Sequence, residues 1–249
     1  MNYYKRSKRR LILAVCVVLA TALMVVSCVT PAKKALSAGN EHFVQGQYDE
    51  AIVEYTKAIE LDPQFATAYN NRGLAYHRTG ELDKAITDFD KAIELEPSQA
   101  EVYYNRGSVY FDNGQFQSAT ANYGKAIELA PRFALAYNER GHAHLHMREY
   151  DSAIADFDKA IELSPDLVQA YNGRGISYRN KDEFDNAIAD FSKAIELYPN
   201  YAEAYFNRAY AYHKKGGEAD KARSDLEKCM ELSTDPRLLN AAQDLLERL

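Results

Sequence analysis

Three histidines, His142, His144 and His146, fall within five residues of one another. They are the residues with the clearest potential for metal or proton chemistry. On a helix His142 and His146 stand one turn apart and share a face, while His144 points elsewhere. Two imidazoles at that spacing can chelate a transition metal, but a stable site needs a third or fourth ligand, and the sequence offers no certain one. The competing reading is a pair of surface-lining histidines with no metal and no cofactor, and it is the one favoured. His144 falls in a row with Tyr76 and Tyr110, which predicts a place in the core. The chain has no glycine-rich phosphate loop, nucleophile elbow, His-Glu-x-x-His or paired-cysteine motif, so no enzymatic activity is expected.

A second set of chemical groups is periodic. Arg72, Arg106, Arg140, Arg174 and Arg208 are 34 residues apart. An acidic row accompanies them: Glu54, Asp88, Asp156, Asp190 and Asp225, with Asn122 in one place. Either these rows form structural ion pairs between packed helices, or the arginines read carboxylates on a partner. The matched spacing favours the structural ladder. Glu60, Glu94, Glu128, Glu162 and Glu196 also recur every 34 residues, and a carboxylate repeated in that way reads as a solvated face.

The elements that position these groups follow from the same period. Gly39, Gly73, Gly107, Gly141 and Gly175 form one row, Ala51 to Ala187 and Ala58 to Ala194 two more, and Pro63 to Pro199 a fourth. Self-similarity at this period marks a solenoid, in which no unit can bury its apolar face alone. In the unit Ala66–Gln99, Tyr69, Gly73 and Tyr76 share a helical face, and Ala85, Ile86, Phe89, Ala92 and Ile93 share the next. Gly80 permits a tight turn between them, and Pro97 ends the second helix. The unit is a helical hairpin. Gly73 is expected to face Ala85 and Ala92, letting the two backbones approach, with the aromatic residues filling gaps between hairpins.

These rows of Tyr, Gly, Tyr, Gly, Ala, Phe or Tyr, Ala and Pro resemble the tetratricopeptide repeat (TPR) family over about residues 32–236. The resemblance implies an all-α fold, an α-α superhelix whose concave groove is lined by the first helix of each hairpin. Six units are expected, at 32–65, 66–99, 100–133, 134–167, 168–201 and 202–235, followed by a capping helix over 236–249 with Leu238, Ala242, Leu245 and Leu249 on one stripe. Departures from the pattern are local. Ala35 stands where other units have tyrosine, and Arg148 and Asp182 replace the turn glycine, predicting longer or strained turns. Ala209 replaces the glycine row, and one extra residue falls near Gly216-Gly217.

The resemblance also locates a candidate site. The fifth, ninth, twelfth and thirteenth places of each unit line the groove in this family. Here they contribute Asn70, Leu74 and His77, then Tyr104, Ser108, Phe111 and Asp112. Later units add Asn138, His142, Leu145 and His146, then Asn172, Ile176 and Arg179, then Phe206, Tyr210 and His213. These places vary while the packing rows do not, which frees them for binding; aromatic and asparagine side chains suit an adaptable peptide surface. Some TPR proteins hold a chaperone's C-terminal carboxylate with lysines, asparagines and an arginine. Asn40, Asn71 and Asn105 match the asparagine places, but Leu36 and Glu101 replace the lysines, so that clamp is not expected.

The first 27 residues carry a different signal. Lys5, Arg6, Lys8, Arg9 and Arg10 precede an apolar run, Leu11–Val26, that ends in Val25-Val26-Ser27-Cys28. A basic start, a short apolar stretch and a small residue before cysteine resemble a bacterial lipoprotein signal, which implies lipidation of Cys28. Sixteen helical residues span about 24 Å against a hydrocarbon core of about 30 Å; the alternative is an uncleaved anchor reaching Thr30. Either arrangement puts the repeats on the non-cytoplasmic side of a bacterial envelope membrane. Val29 stands where enteric-type lipoproteins retained at the inner membrane carry aspartate, which favours the outer membrane. Residues 28–31 form a short linker.

Charge narrows the partner. The leader holds five of the 30 basic residues and none of the 36 acidic ones, leaving a net of −11. An acidic solenoid lacks the basic stripe that nucleic acid requires. Cys229 is left as a lone thiol at an alanine position, predicting a small core residue. The expected function is a non-enzymatic scaffold or adaptor that binds another envelope protein in its groove. The alternatives are a structural oligomer and a metal-dependent site at His142 and His146.

Overall fold

The computed structural model describes residues 30–249; Cys28 and the leader lie outside the described residues. Thirteen α-helices and no strands make up the described chain. The first six are α1 (Pro31–Val44), α2 (Tyr48–Leu61), α3 (Ala66–Thr79), α4 (Leu82–Leu95), α5 (Ala100–Asp112) and α6 (Phe116–Leu129). They are followed by α7 (Ala134–His146), α8 (Tyr150–Leu163), α9 (Val168–Asn180), α10 (Phe184–Leu197), α11 (Ala202–Lys215), α12 (Ala219–Leu232) and α13 (Pro236–Leu246). None is long and apolar enough to cross a membrane. Helix α1 begins earlier than the expected linker allows: Pro31 opens it and the Thr30 hydroxyl accepts a hydrogen bond from the Lys33 N–H at 3.3 Å.

The first five hairpins close by the same turn, and the sixth by two positive-φ residues, Gly216 and Gly217. At Gly80 (φ 82°) the chain enters the left-handed region; the Gly80 N–H donates to the His77 carbonyl at 3.1 Å and the Glu81 N–H to the Tyr76 carbonyl at 2.8 Å. Arg148 (φ 62°) and Asp182 (φ 59°) occupy the equivalent place without glycine. Their turns are not lengthened: Glu149 N–H still reaches His144 O at 2.9 Å and Glu183 N–H reaches Tyr178 O at 2.9 Å. The substitution is absorbed as backbone strain of about 1 kcal/mol per turn.

The glycine row has a different neighbour from the one expected. A Cβ on Gly73 would lie 2.9 Å from the Phe89 ring, and one on Gly141 would lie 2.8 Å from Phe157. The glycines therefore accommodate the aromatic row Tyr55, Phe89, Tyr123, Phe157 and Phe191, and not Ala85 and Ala92. All five rings are buried. The reason is geometric: an aromatic ring reaching across a hairpin needs a flat backbone surface to lie on, and only glycine supplies it. The sixth unit makes the exchange in both partners at once, with Ala209 in the glycine row and buried Leu226 in the aromatic row, keeping the volume filled. The alanine rows pack between hairpins; Ala58, for instance, joins Ala35 and Ala68. Cys229 is buried beside Leu226 and Ala242, as its alanine position predicts. Helix α13 covers this last edge with Ala242 and Leu245.

The arginine row is the expected structural ladder. Arg72 grips Asp88 through Nε at 2.7 Å and Nη2 at 2.8 Å. Arg140 holds Asp156, Arg174 holds Asp190 and Arg208 holds Asp225 with the same two-pronged geometry. Arg106 donates to Asn122 instead and takes its carboxylate from Asp90 of the preceding unit. Each guanidinium also lies over the tyrosine three residues before it, at 5.6–5.7 Å from the ring centre. Every charge in this layer is satisfied on several sides. Glu54, in the first unit, meets no ladder arginine and pairs with Lys57.

First helices of successive hairpins touch one another, whereas second helices touch only first helices. A stack whose one layer is closer together curves toward that layer. The inner wall is therefore built by α1, α3, α5, α7, α9 and α11.

Candidate partner-binding groove

Along the inner wall the candidate residues separate into three environments. Leu74, Leu145 and Ile176 pack into the hairpin cores, against the clusters containing Phe89, Phe157 and Phe191 respectively. Asn138 and Asn172 are buried beneath the surface. The remaining residues are half-buried or exposed: Asn70, His77, Tyr104, Ser108, Phe111 and Asp112 in the first half, and His142, His146, Arg179, Phe206, Tyr210 and His213 in the second.

The asparagines bond mainly to one another. Asn105 Nδ2 donates to Asn70 Oδ1 (3.0 Å), Asn70 Nδ2 to Asn71 Oδ1 (3.1 Å) and Asn71 Nδ2 to Asn40 Oδ1 (2.9 Å). Asn207 Nδ2 likewise donates to Asn172 Oδ1 at 3.1 Å. The recurring link joins the fifth place of one unit to the sixth place of the next, 35 residues on. Between these two stretches the wire is cut. Asn138 should receive a donor from residue 173, but that residue is glycine, and Asn138 Oδ1 is buried with no hydrogen-bond partner. Gly173 is required there because a Cβ would fall 2.4 Å from the Phe157 ring. Asn138 turns its amide the other way and donates to Glu139 Oε1 at 2.9 Å.

Glu139 marks the centre of the wall. Burial raises its pKa above the usual carboxylate value, and Asp112 adds to the effect. No cation lies within 4.0 Å of it among the described residues. Tyr104 packs beside it, tilted against Tyr123 at 5.7 Å and Phe133 at 5.0 Å, and burial pushes its hydroxyl up to about 12. Ser108 accepts the Tyr123 hydroxyl at 3.3 Å, and Asp112 meets His77 Nε2 at 2.7 Å.

The histidines go to three different places. His142 lies edge-on to Phe157 at 5.0 Å, and burial pulls its pKa down to about 4, with a smaller contribution from His146. It is neutral at pH 7. His146 stacks on Phe116 at 4.6 Å and meets Phe111 edge-on at 5.2 Å. The core position expected for His144 is corrected: its ring is half-buried, 2.6 Å from Glu149 Oε2 and 3.7 Å from Asp156, because an imidazole in the tyrosine row brings two nitrogens that need partners. Among the described residues no three His, Cys, Asp or Glu side chains come together to hold a metal.

At the C-terminal end a cavity of about 530 Å³ opens between α9 and α11, walled by Phe184, Phe206 and Tyr210 and by the cations Arg179 and Lys214. A smaller cavity of about 260 Å³ at the N-terminal end is bordered by Phe43, Tyr55 and Leu74. Arg179, Phe206 and Tyr210, named from the sequence, line the larger cavity together with Lys214; sequence reasoning missed Lys214 and Glu139. The signal for Glu139 was its sixth place, where Asn71, Asn105 and Asn207 stand in other units.

Family models described as TPR repeat or tetratricopeptide repeat match residues 39–80, 76–114, 104–168, 177–216 and 202–236. The chain belongs to the tetratricopeptide repeat family. A search of curated protein sequences gives no match. Among solved structures, this TPR chain is similar to MamA, with 32% identity over 66% of this chain and 96% of that one, at a TM-score of 0.61. It is also similar to YrrB, described as a TPR protein with an unusual peptide-binding site, with 27% identity over 76% and 97% of the two chains and a TM-score of 0.62. PilF of Pseudomonas aeruginosa shares the fold at 18% identity, covering 86% and 96%, with a TM-score of 0.74.

Proposed function

We propose that this protein is a non-enzymatic scaffold that binds a segment of another polypeptide along its inner wall, and that it does so at a bacterial envelope membrane, anchored by lipid on Cys28. The observation that carries the binding reading is the contrast in charge satisfaction. Each repeated arginine has a carboxylate partner, while Glu139 and Arg179 on the varying inner wall hold half-buried charge with no ionic partner. Leaving charge uncompensated costs stability, so a wall that keeps it is adapted to something that arrives. YrrB, a similar TPR protein, is described as binding peptide, which supports the class of ligand. The anchoring reading rests on the leader sequence and on the start of α1 at Pro31, which leaves little chain between Cys28 and the solenoid.

Site-specific photo-crosslinking tests the binding reading. A crosslinker in place of Phe206 or Tyr104 should trap a defined segment of one partner, and one in place of the outer residue Glu162 should not. Equal trapping from both faces would contradict it, and products formed only with a second copy of this chain would favour the oligomer. Loss of acyl labelling on Cys28→Ser tests the anchor.

A further inference from the structure

The cavity between α9 and α11 differs in kind from the rest of the wall. The Arg179 guanidinium is half-buried and spends one bond on Asn207 Oδ1, at 2.8 Å. Its carbon sits 5.2 Å from the Tyr210 ring centre, and Lys214 Nζ sits 5.6 Å from the same ring. One aromatic ring thus carries two cations. Among the described residues no carboxylate comes within 4.0 Å of either; the ion pairs nearby belong to Lys181 and Lys215. Asp182 stands in the cavity wall without reaching them. The surrounding burial draws Arg179 below the usual guanidinium value, a cost that an arriving anion would remove. Phe184 and Phe206 give the cavity an apolar side, so the chemistry it fits is a carboxylate next to an apolar side chain.

Toward the middle of the wall the sign reverses. Asp112 belongs to the third unit and Glu139 to the fourth, and Glu139 has no cation of its own among the described residues. Deepening the binding reading above, and resting on it, we propose that the cavity between the fifth and sixth units receives an acidic side chain of the bound segment while Glu139 receives a basic one, so that the segment docks in a single direction. The cavity uses places outside the asparagine-lysine clamp that the sequence lacks, while Glu139 takes the sixth place that Asn71 and Asn105 hold in other units. It pairs each orphan charge of the wall with one on the ligand, and opposite charges in the wrong order are repelled at both stations.

Fluorescence anisotropy on the detergent-solubilised full chain tests it with labelled peptides of about ten residues, long enough to span about 33 Å when extended. One probe carries Phe-Asp-Glu in a Gly/Ser background and a second carries Phe-Asn-Gln. Two more add a lysine pair before or after the acidic triplet. The acidic probe should bind about tenfold tighter than its amide counterpart, the worth of one charge-assisted contact. Arg179→Gln, which keeps a donor for Asn207, and Lys214→Gln should each remove most of that difference while the melting temperature holds. One lysine order should bind tighter than the other, and Glu139→Gln should erase the distinction. Equal binding of acidic and amide probes, or binding of neither, overturns the assignment. If both bind equally and Phe206→Ala weakens both, the inner-wall reading stands and only the charge assignment falls. Equal binding of the two lysine orders overturns the single direction.

Discussion

The arginine ladder and the inner wall are made by the same helices, yet they treat charge in opposite ways. Arg140 lies in the ladder with its two-pronged bond to Asp156 and the Tyr137 ring beneath it. Glu139, one residue earlier, faces the wall and has only the amide of Asn138. Adjacent positions on one helix thus serve the fold and the surface separately. The difference teaches where selection for stacking ends: places that repeat are saturated, and places that vary keep unmet capacity. In this molecule unmet capacity is a better guide to function than residue type, since of the histidines that look most chemical His142 and His146 are occupied by aromatic rings and His144 by carboxylates.

Breaking the saturated side should have the largest effect. Gly141→Leu drives a side chain into Phe157, which a Cβ alone would meet at 2.8 Å. The change should cost about 3 kcal/mol or more, visible as a fall in melting temperature by circular dichroism; a variant as stable as the parent would refute the glycine–aromatic packing. Arg140→Ala comes next. It strands the buried Asp156 carboxylate and should cost about 2 kcal/mol in urea unfolding, with affinity per folded molecule unchanged.

His142 sharpens the comparison through pH. Its folded pKa of about 4 lies below the ordinary 6.5, so the unfolded chain takes up the proton first. Stability should be intact above pH 6.5 and fall as pH drops toward 4, by about 2 kcal/mol after discounting for the ring's partial exposure. His142→Gln should lack this slope, and an unchanged slope would place the ring in solvent. Glu139 acts with the opposite sign. Its carboxyl is raised above 4.5 by burial, so the folded state favours the protonated form and the charged form costs stability. Glu139→Gln should match the parent below pH 4.5 and become the more stable of the two above the raised value. The smallest effect belongs to the exposed Lys159–Glu162 pair, where Lys159→Ala should change stability by less than about 0.5 kcal/mol.

Much of the fold was legible in the sequence because stacking imposes one residue type on one place. The Arg–Asp ladder and the hairpins followed directly from rows 34 residues apart. The glycine row was visible, but its neighbour was not: Gly73 has no side chain, so spacing alone could not tell whether Phe89 or Ala85 lay opposite. On the wall the varying places were identifiable, while their environments were not. Asn138 and Asn172 read as surface asparagines, yet both are buried, Asn172 in its link to Asn207 and Asn138 at the place where that link is missing. Lys214 stands four residues after Tyr210 on α11, but Arg179 joins them only by reaching across from α9 of the preceding unit, a relation that no spacing within a single unit shows.

The division of labour between ladder and wall is tested most directly by measuring the dissociation constant and the unfolding free energy together for the crosslinked partner segment, against the parent, Arg179→Gln and Arg140→Ala. The account predicts that Arg179→Gln weakens binding about tenfold at unchanged stability, and that Arg140→Ala lowers stability at unchanged affinity. The reverse pattern, or both variants losing affinity and stability in proportion, would contradict it.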